Sequence, residues 1–225
     1  MKINTVLFDL DGVLVDTARY HFEAWSVLAK QLAIPFTAKE NEQLKGVSRA
    51  ESLERLLALD QQRKVFSEQE KQGLAEQKNT LYLQAIQAMD ESAVLPGAKE
   101  VLEYLKNSEI KIGLGSASKN ARLILEKTKL TPYFDVIVDG TQVSKAKPDP
   151  EVFLKGAQQL MSAPASCLIV EDSEAGCLAA LTGKMHVLGI GQQENLPSAT
   201  YVIPNLVTFK EVFQQMLATE SVYNS

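Results

Sequence analysis

Asp9 and Asp11 stand two residues apart at the close of the apolar run Thr5-Val6-Leu7-Phe8, and Gly12 follows them. A short β-branched and aromatic run that stops at glycine reads as a buried parallel strand emptying into a loop. In an open α/β sheet, loops at such strand ends form the ligand crevice. Two carboxylates there can divide labour, one attacking or binding metal as the anion and the other exchanging protons. Three more polar clusters follow in the second half of the chain. Ser116-Ala117-Ser118-Lys119-Asn120, after Lys111–Gly115, offers hydroxyls and backbone N–H groups to an anion; a plain helix cap at Ser118 is the simpler alternative. Lys147 precedes Pro148 and Asp149-Pro150, which hold its backbone extended and make it a defined positive charge. Glu171-Asp172 closes the apolar run Cys167–Val170, and adjacent acids suit a hard cation such as Mg²⁺. Phosphoryl transfer requires such a set: an in-line nucleophile, cations on the equatorial oxygens and donors that fix orientation.

The elements that must position these groups follow from hydrophobic periodicity. Phe22, Trp25, Leu28, Ala29 and Leu32 fall at helical spacing after Asp16 and Thr17, which are candidate caps. Further helical stretches span about 41–44, 50–59 and 67–89, the last opened by the capping box Ser67-x-x-Glu70. From Leu95-Pro96-Gly97 onward, helix and strand alternate: helix 98–107, strand Lys111–Gly115, helix 119–129, strand Val136–Val138 and helix 150–161. Strand Cys167–Val170, helix 174–182, strand His186–Gly189, strand Tyr201–Ile203 and a helix near 207–218 complete the series. Alternation of this kind predicts an α/β fold with a Rossmann-like parallel-sheet core. The strandless stretch after the first strand is too long for a loop and predicts an inserted all-helical cap domain. The expected division is 1–15 and 92–225 for the core and 16–91 for the cap, with hinges near 13–16 and 91–96.

Composition narrows the function classes. With 45% hydrophobic and 23% charged residues and a net charge of -5, the chain lacks the footprint of a disordered or nucleic-acid-binding protein. The absence of a long apolar segment predicts no membrane association and a cytoplasmic protein. Cys167 and Cys177 lack CxxC spacing and are expected to be buried. Gly113-x-Gly115 lacks the third glycine of a dinucleotide fingerprint, and Gly183-Lys184 lacks the rest of a P-loop.

Asp9-x-Asp11-Gly12, Ser116, Lys147 and Glu171-Asp172, in this order, resemble the four motifs of the haloacid dehalogenase (HAD) superfamily of phosphotransferases. The insert resembles its helical-cap subfamily. Thr17-x-x-x-His21-x-x-x-Trp25, Leu44-Lys45-Gly46-Val47-Ser48-Arg49, Lys78-Asn79 and Ser116–Asn120 are similar to segments of its sugar-phosphate mutases. The resemblance implies Asp9 as nucleophile and Asp11 as general acid/base. It implies Mg²⁺ held by Asp9, the Asp11 carbonyl and Asp172, with Glu171 close by or bound through water. Ser116 and Lys147 would hold the transferring phosphoryl, and Asn120, Lys119 and Arg49 the distal phosphate. Ala117 and Ser118, the loop Lys45, Gly46, Val47 and Ser48, and Ser52 and Lys78 would complete the substrate contacts. Thr17, His21 and Trp25 would join them, His21 linking sugar recognition to the placement of Asp11. The implied reaction interconverts β-D-glucose 1-phosphate and β-D-glucose 6-phosphate, with a phosphosugar as the only partner and a monomer expected. A phosphatase on the same scaffold is the rival, because the core motifs do not separate the two.

Overall fold

The computed structural model describes residues 3–44, 47–62 and 64–222. The chain divides into two compact units, residues 17–89 and residues 1–16 with 90–225. Asp16 and residues 90–91 fall with the core, where the expected boundary put them in the cap. The two linker segments pair with each other: Asp16 N donates to Ala93 O (2.8 Å), Leu95 N donates to Leu14 O (2.9 Å), and Val15 bridges Val94 antiparallel.

The core is one sheet of six parallel strands: β1 (Thr5–Phe8), β2 (Lys111–Gly115), β3 (Val136–Val138), β4 (Cys167–Glu171), β5 (His186–Ile190) and β6 (Tyr201–Ile203). Their order is β3-β2-β1-β4-β5-β6. Every residue of β1 and β4 is buried, which is why both read as continuous apolar runs rather than as alternation. Helices α5 (Ala98–Asn107), α6 (Ala121–Lys127), α7 (Glu151–Gln159), α8 (Glu174–Thr182) and α9 (Phe209–Val222) connect and follow the strands. Leu7, Ile169 and Val187 of the sheet pack with Phe153, Ala157 and Ala180 of α7 and α8. Cys167 and Cys177 are free and buried, and burial pushes their thiols up to about 11 and about 12.

The unit of residues 17–89 consists of α1 (Ala18–Leu32), α2 (Ala38–Glu42), α3 (Arg49–Leu57) and α4 (Glu68–Ile86). Trp25, Leu28, Ala29, Ile34, Leu53 and Leu56 form its apolar centre. The Ser67/Glu70 capping box opens α4. A second box, Thr37/Glu40, starts α2 earlier than the expected 41–44. The expected cap of α1 is not made: Thr17 holds the N-cap position with helical φ and ψ and no side-chain cap bond. Nor does α6 begin at 119, because Ser118 Oγ accepts from Asn120 N (3.2 Å) in a turn that delays the helix to Ala121. Among the described residues no helix is long and apolar enough to cross a membrane.

Candidate active site

The strand order reverses direction at β1, so the crevice of an open α/β sheet lies at the carboxyl end of this strand. Phe8 pairs with Leu114 on one side and Val170 on the other. One step further, Asp9 N donates to Val170 O (2.9 Å), setting Asp9 level with Gly115 and Glu171. Two carboxylates on neighbouring strands are thus removed from water, Asp9 at 7% and Glu171 at 0% exposure. Such a pair is costly unless a cation joins it. Lys147 supplies the cation: its Nζ lies 2.5 Å from Asp9 Oδ1 and 2.6 Å from Glu171 Oε1, and 4.7 Å above the Phe153 ring. The Lys147–Pro148 peptide is cis.

Glu171 is held on both oxygens. Its Oε2 accepts from Ser173 N (2.7 Å) and Ser173 Oγ (2.8 Å), and Ser173 Oγ in turn accepts from Gly176 N as the N-cap of α8. A Cβ on Gly176 would stand 1.9 Å from Glu171 Oε1, so only glycine lets the helix approach this carboxylate. Glu171, expected beside the metal or bound to it through water, is here the anchor of the lysine, with Lys147 on Oε1 and Ser173 on Oε2.

Burial raises the Asp9 carboxyl from its ordinary 3.8 to about 7; Lys147 opposes the rise, and Glu171 and Asp11 add to it. Burial by itself would lower Lys147, but Asp9 and Glu171 outweigh it and hold the ammonium above the usual lysine range. The site therefore carries a surplus of negative charge that one ammonium does not neutralise.

Gly12 turns the chain after Asp11 with φ +79°, a conformation that favours glycine, and Gly12 N donates to Val15 O (2.9 Å). A Cβ there would lie 2.1 Å from Asp172 Oδ2. The turn thus brings the Asp172 carboxylate against the loop that carries Asp9 and the half-buried Asp11. Among the described residues no group of three or more His, Cys, Asp or Glu side chains is disposed to hold a metal. Asp9, Asp172 and the Asp11 carbonyl are nonetheless hard oxygen donors, the kind Mg²⁺ takes while keeping several waters, so the residues present fit that ion by their chemistry.

At the end of β2, Ser116 is fully buried, its N donating to Val138 O (3.0 Å) and its Oγ accepting from Ser118 N (3.1 Å). Ala117, Ser118 and Asn120 are half-buried and Lys119 is exposed. Asp9, Ser116 and Asp172 accordingly follow the carboxyl ends of β1, β2 and β4, and Lys147, from the segment between β3 and α7, joins them at Asp9.

The helical unit assembles its own polar cluster. His21 on α1 lies against the Tyr82 ring (4.2 Å between centroids), and its Nδ1 is 2.8 Å from Lys78 Nζ. That Nζ sits 4.8 Å from the Trp25 ring and 4.7 Å from the Tyr82 ring. Burial and then Lys78 and Arg49 push the His21 imidazole well below 6.5, so it is neutral and Nδ1 accepts from the lysine. Trp25, at 2% exposure, belongs to the apolar centre and supports Lys78 rather than offering surface. Ser52 and Thr17 are likewise buried. Ser48 caps α3 by accepting from Glu51 N (3.2 Å), which places half-buried Val47 and Arg49 on either side of the cap. Lys45 and Gly46 lie outside the described residues.

The family model for haloacid dehalogenase-like hydrolases matches residues 3–182. This chain belongs to that family. Its similarity extends through the helical unit to the β-phosphoglucomutase of Bacillus subtilis, 43% identical over 89% of this chain and 89% of that protein. The crystal structure of β-phosphoglucomutase from Clostridium difficile matches with a TM-score of 0.91 at 40% identity, covering 98% of this chain and 99% of that one. A phosphorylated carbohydrates phosphatase of Thermotoga maritima is 32% identical over 84% of this chain and 89% of that protein.

Sequence reasoning assigned no role to Ser173 and Gly176, whose roles depend on where Glu171 points. It also passed over Asp139, 2% exposed at the end of β3. A carboxylate after the apolar run Val136–Val138 is the signal that singled out Asp9 and would have found it.

Proposed function

We propose that this chain interconverts β-D-glucose 1-phosphate and β-D-glucose 6-phosphate through a phosphorylated Asp9 and β-D-glucose 1,6-bisphosphate. The observation that carries the reading is the 43% identity to a β-phosphoglucomutase along 89% of both chains, above the 32% to the phosphorylated carbohydrates phosphatase. A carboxylate nucleophile splits one displacement into two, each reversing the other. Asp9 Oδ1 is tethered to Lys147, which leaves the second oxygen for attack, and the ammonium offsets charge on the equatorial oxygens. Ser116 Oγ orients the same phosphoryl group. Asp11, half-buried on the Gly12 turn, takes the proton of the attacking sugar hydroxyl in one direction and returns it in the other.

Asp9, the Asp11 carbonyl and Asp172 would hold Mg²⁺. When bound, the ion supplies positive charge that polarises the phosphoryl oxygens. Both ends of the bisphosphate must be bound in turn, so the mechanism requires a second phosphate site. Arg49 meets it with a planar fork suited to phosphate, and Lys119, Asn120 and the neutral His21 with Lys78 add donors. Ala117 and Ser118 adjoin Lys119 in sequence as Val47 and Ser48 adjoin Arg49, and Trp25 stacks against Lys78 within the helical unit. The protein is proposed to act as a cytoplasmic monomer with a phosphosugar as partner. A ³¹P NMR time course on β-glucose 1-phosphate with Mg²⁺ and trace bisphosphate tests the reading. A growing 6-phosphate signal is expected; stoichiometric free phosphate would show a phosphatase instead.

A further inference from the structure

The loop Ser116–Asn120 depends on its neighbour for support. Gly140 N donates to Ser118 O (3.2 Å), and a Cβ on Gly140 would come within 2.2 Å of Ala117 O, so the loop rests directly on the Gly140 backbone. The position of Gly140 is fixed by Asp139, whose side chain is 3% exposed. Asp139 Oδ1 accepts from Thr141 N (2.9 Å) and Thr141 Oγ1 (2.5 Å), while Asp139 N donates to Gln142 Oε1 (3.0 Å). Its other oxygen, Oδ2, accepts from Arg122 Nε (2.9 Å), and Arg122 Nη2 donates to Ile137 O (2.9 Å). Arg122 lies in the first turn of α6, directly after the loop. One buried carboxylate therefore clamps the loop twice, beneath it through Gly140 and at its exit through Arg122.

We propose that Asp139 is a positioning residue: with Arg122 it sets the shape of the loop from Ala117 to Asn120 and so the grip of Lys119 and Asn120 on the phosphate that is not being transferred. This rests on the reaction proposed above. The clamp meets the loop at Ala117, Ser118 and its exit, and touches neither Asp9 and Lys147 nor Ser116, whose N is held separately by Val138 O; it therefore bears on binding of a two-phosphate ligand and leaves phosphorylation of Asp9 by a one-phosphate donor alone.

The test uses the full-length enzyme with Mg²⁺ and the variants Asp139→Asn and Arg122→Gln. The expected result is a rise of about tenfold in KM for β-glucose 1-phosphate and in half-saturating bisphosphate, the scale of one lost charge-assisted hydrogen bond. Over the same variants kcat stays within about twofold, and hydrolysis of acetyl phosphate, which has no second phosphate, is unchanged. Arg122→Lys, which returns one donor to Asp139, recovers part of the loss. Unchanged KM in the folded variants overturns the proposal. Equal losses on the sugar phosphate and on acetyl phosphate overturn it too, because Asp139 would then serve the whole core. Should Asp139→Asn fail to fold, Arg122→Gln decides the matter, since that side chain is 58% exposed. Release of phosphate without isomerisation by the unaltered enzyme would sink the reaction itself, and it is read without the variants.

Discussion

The Asp9 carboxyl makes a quantitative demand on stability. Moved by burial from 3.8 to about 7 in the metal-free protein, it costs about 4 kcal/mol to ionise inside the fold, at about 1.4 kcal/mol per pH unit. Below about pH 4 both the folded and unfolded chains keep the proton, and the cost is absent. Between pH 4 and 7 the unfolded chain releases the proton that the folded chain retains, so stability falls as pH rises. Above pH 7 the whole cost is in place. Asp9→Asn keeps the shape and an acceptor for Lys147 while removing the ionisation. In the presence of a chelator it is expected to be more stable than the unaltered protein by about 2 kcal/mol at pH 5 and about 4 kcal/mol at pH 8. At pH 8 that is a Tm difference on the order of 10 °C for a chain of this size. Thermal melts of both proteins at the two pH values give the comparison, and the difference between them cancels the titrating groups that do not interact with Asp9. Mg²⁺ should narrow the gap from the unaltered side. A gap that does not grow between pH 5 and 8, or an Asp9→Asn protein less stable at pH 8, would refute the reasoning.

Gly176→Ala forces a methyl into the Glu171 carboxylate, 1.9 Å away. It should cost about 1–3 kcal/mol by overpacking and at least about tenfold in turnover through displacement of Lys147; full activity in a steady-state assay would free Lys147 from dependence on Glu171. Arg49→Lys keeps the charge and loses the planar fork, so KM for β-glucose 1-phosphate should rise about tenfold with the melting temperature unchanged; unaltered kinetics would remove Arg49 from phosphate binding. His21, held well below 6.5 by burial, Lys78 and Arg49, should show ring NMR shifts that stay neutral from pH 8 to pH 6. Its contribution to stability is present above 6.5 and lost as pH falls towards its folded value, and an imidazole that titrates at or above 6.5 would contradict the Lys78 contact.

The sheet was legible because burial on both faces writes an unbroken apolar run. β2, β3 and β6 lie where the runs Lys111–Gly115, Val136–Val138 and Tyr201–Ile203 end. Polar groups at those ends stand out for the same reason, and so Asp9, Ser116 and Glu171-Asp172 could be picked from sequence. What periodicity does not encode is which oxygen faces which partner. Glu171 and Asp172 are adjacent acids in one dimension; in space one is locked between Lys147 and Ser173 and the other lies against Gly12. The start of α6 was missed because Ser118 spends its hydroxyl on Asn120 N, a local bond that competes with helix entry. Trp25 and Ser52 carry chemistry-bearing side chains but sit inside the helical unit, where only three-dimensional packing separates support from contact.

The central claim is that Asp9 accepts a phosphoryl group covalently. Rapid acid quenching of the enzyme with β-glucose 1,6-bisphosphate and Mg²⁺, followed by peptide mass analysis, tests it most directly. The peptide spanning Thr5 to Val15 should gain the mass of one phosphoryl group, located on Asp9 and absent from Asp9→Asn. Phosphate on any other residue, or turnover that persists in Asp9→Asn, would contradict the account.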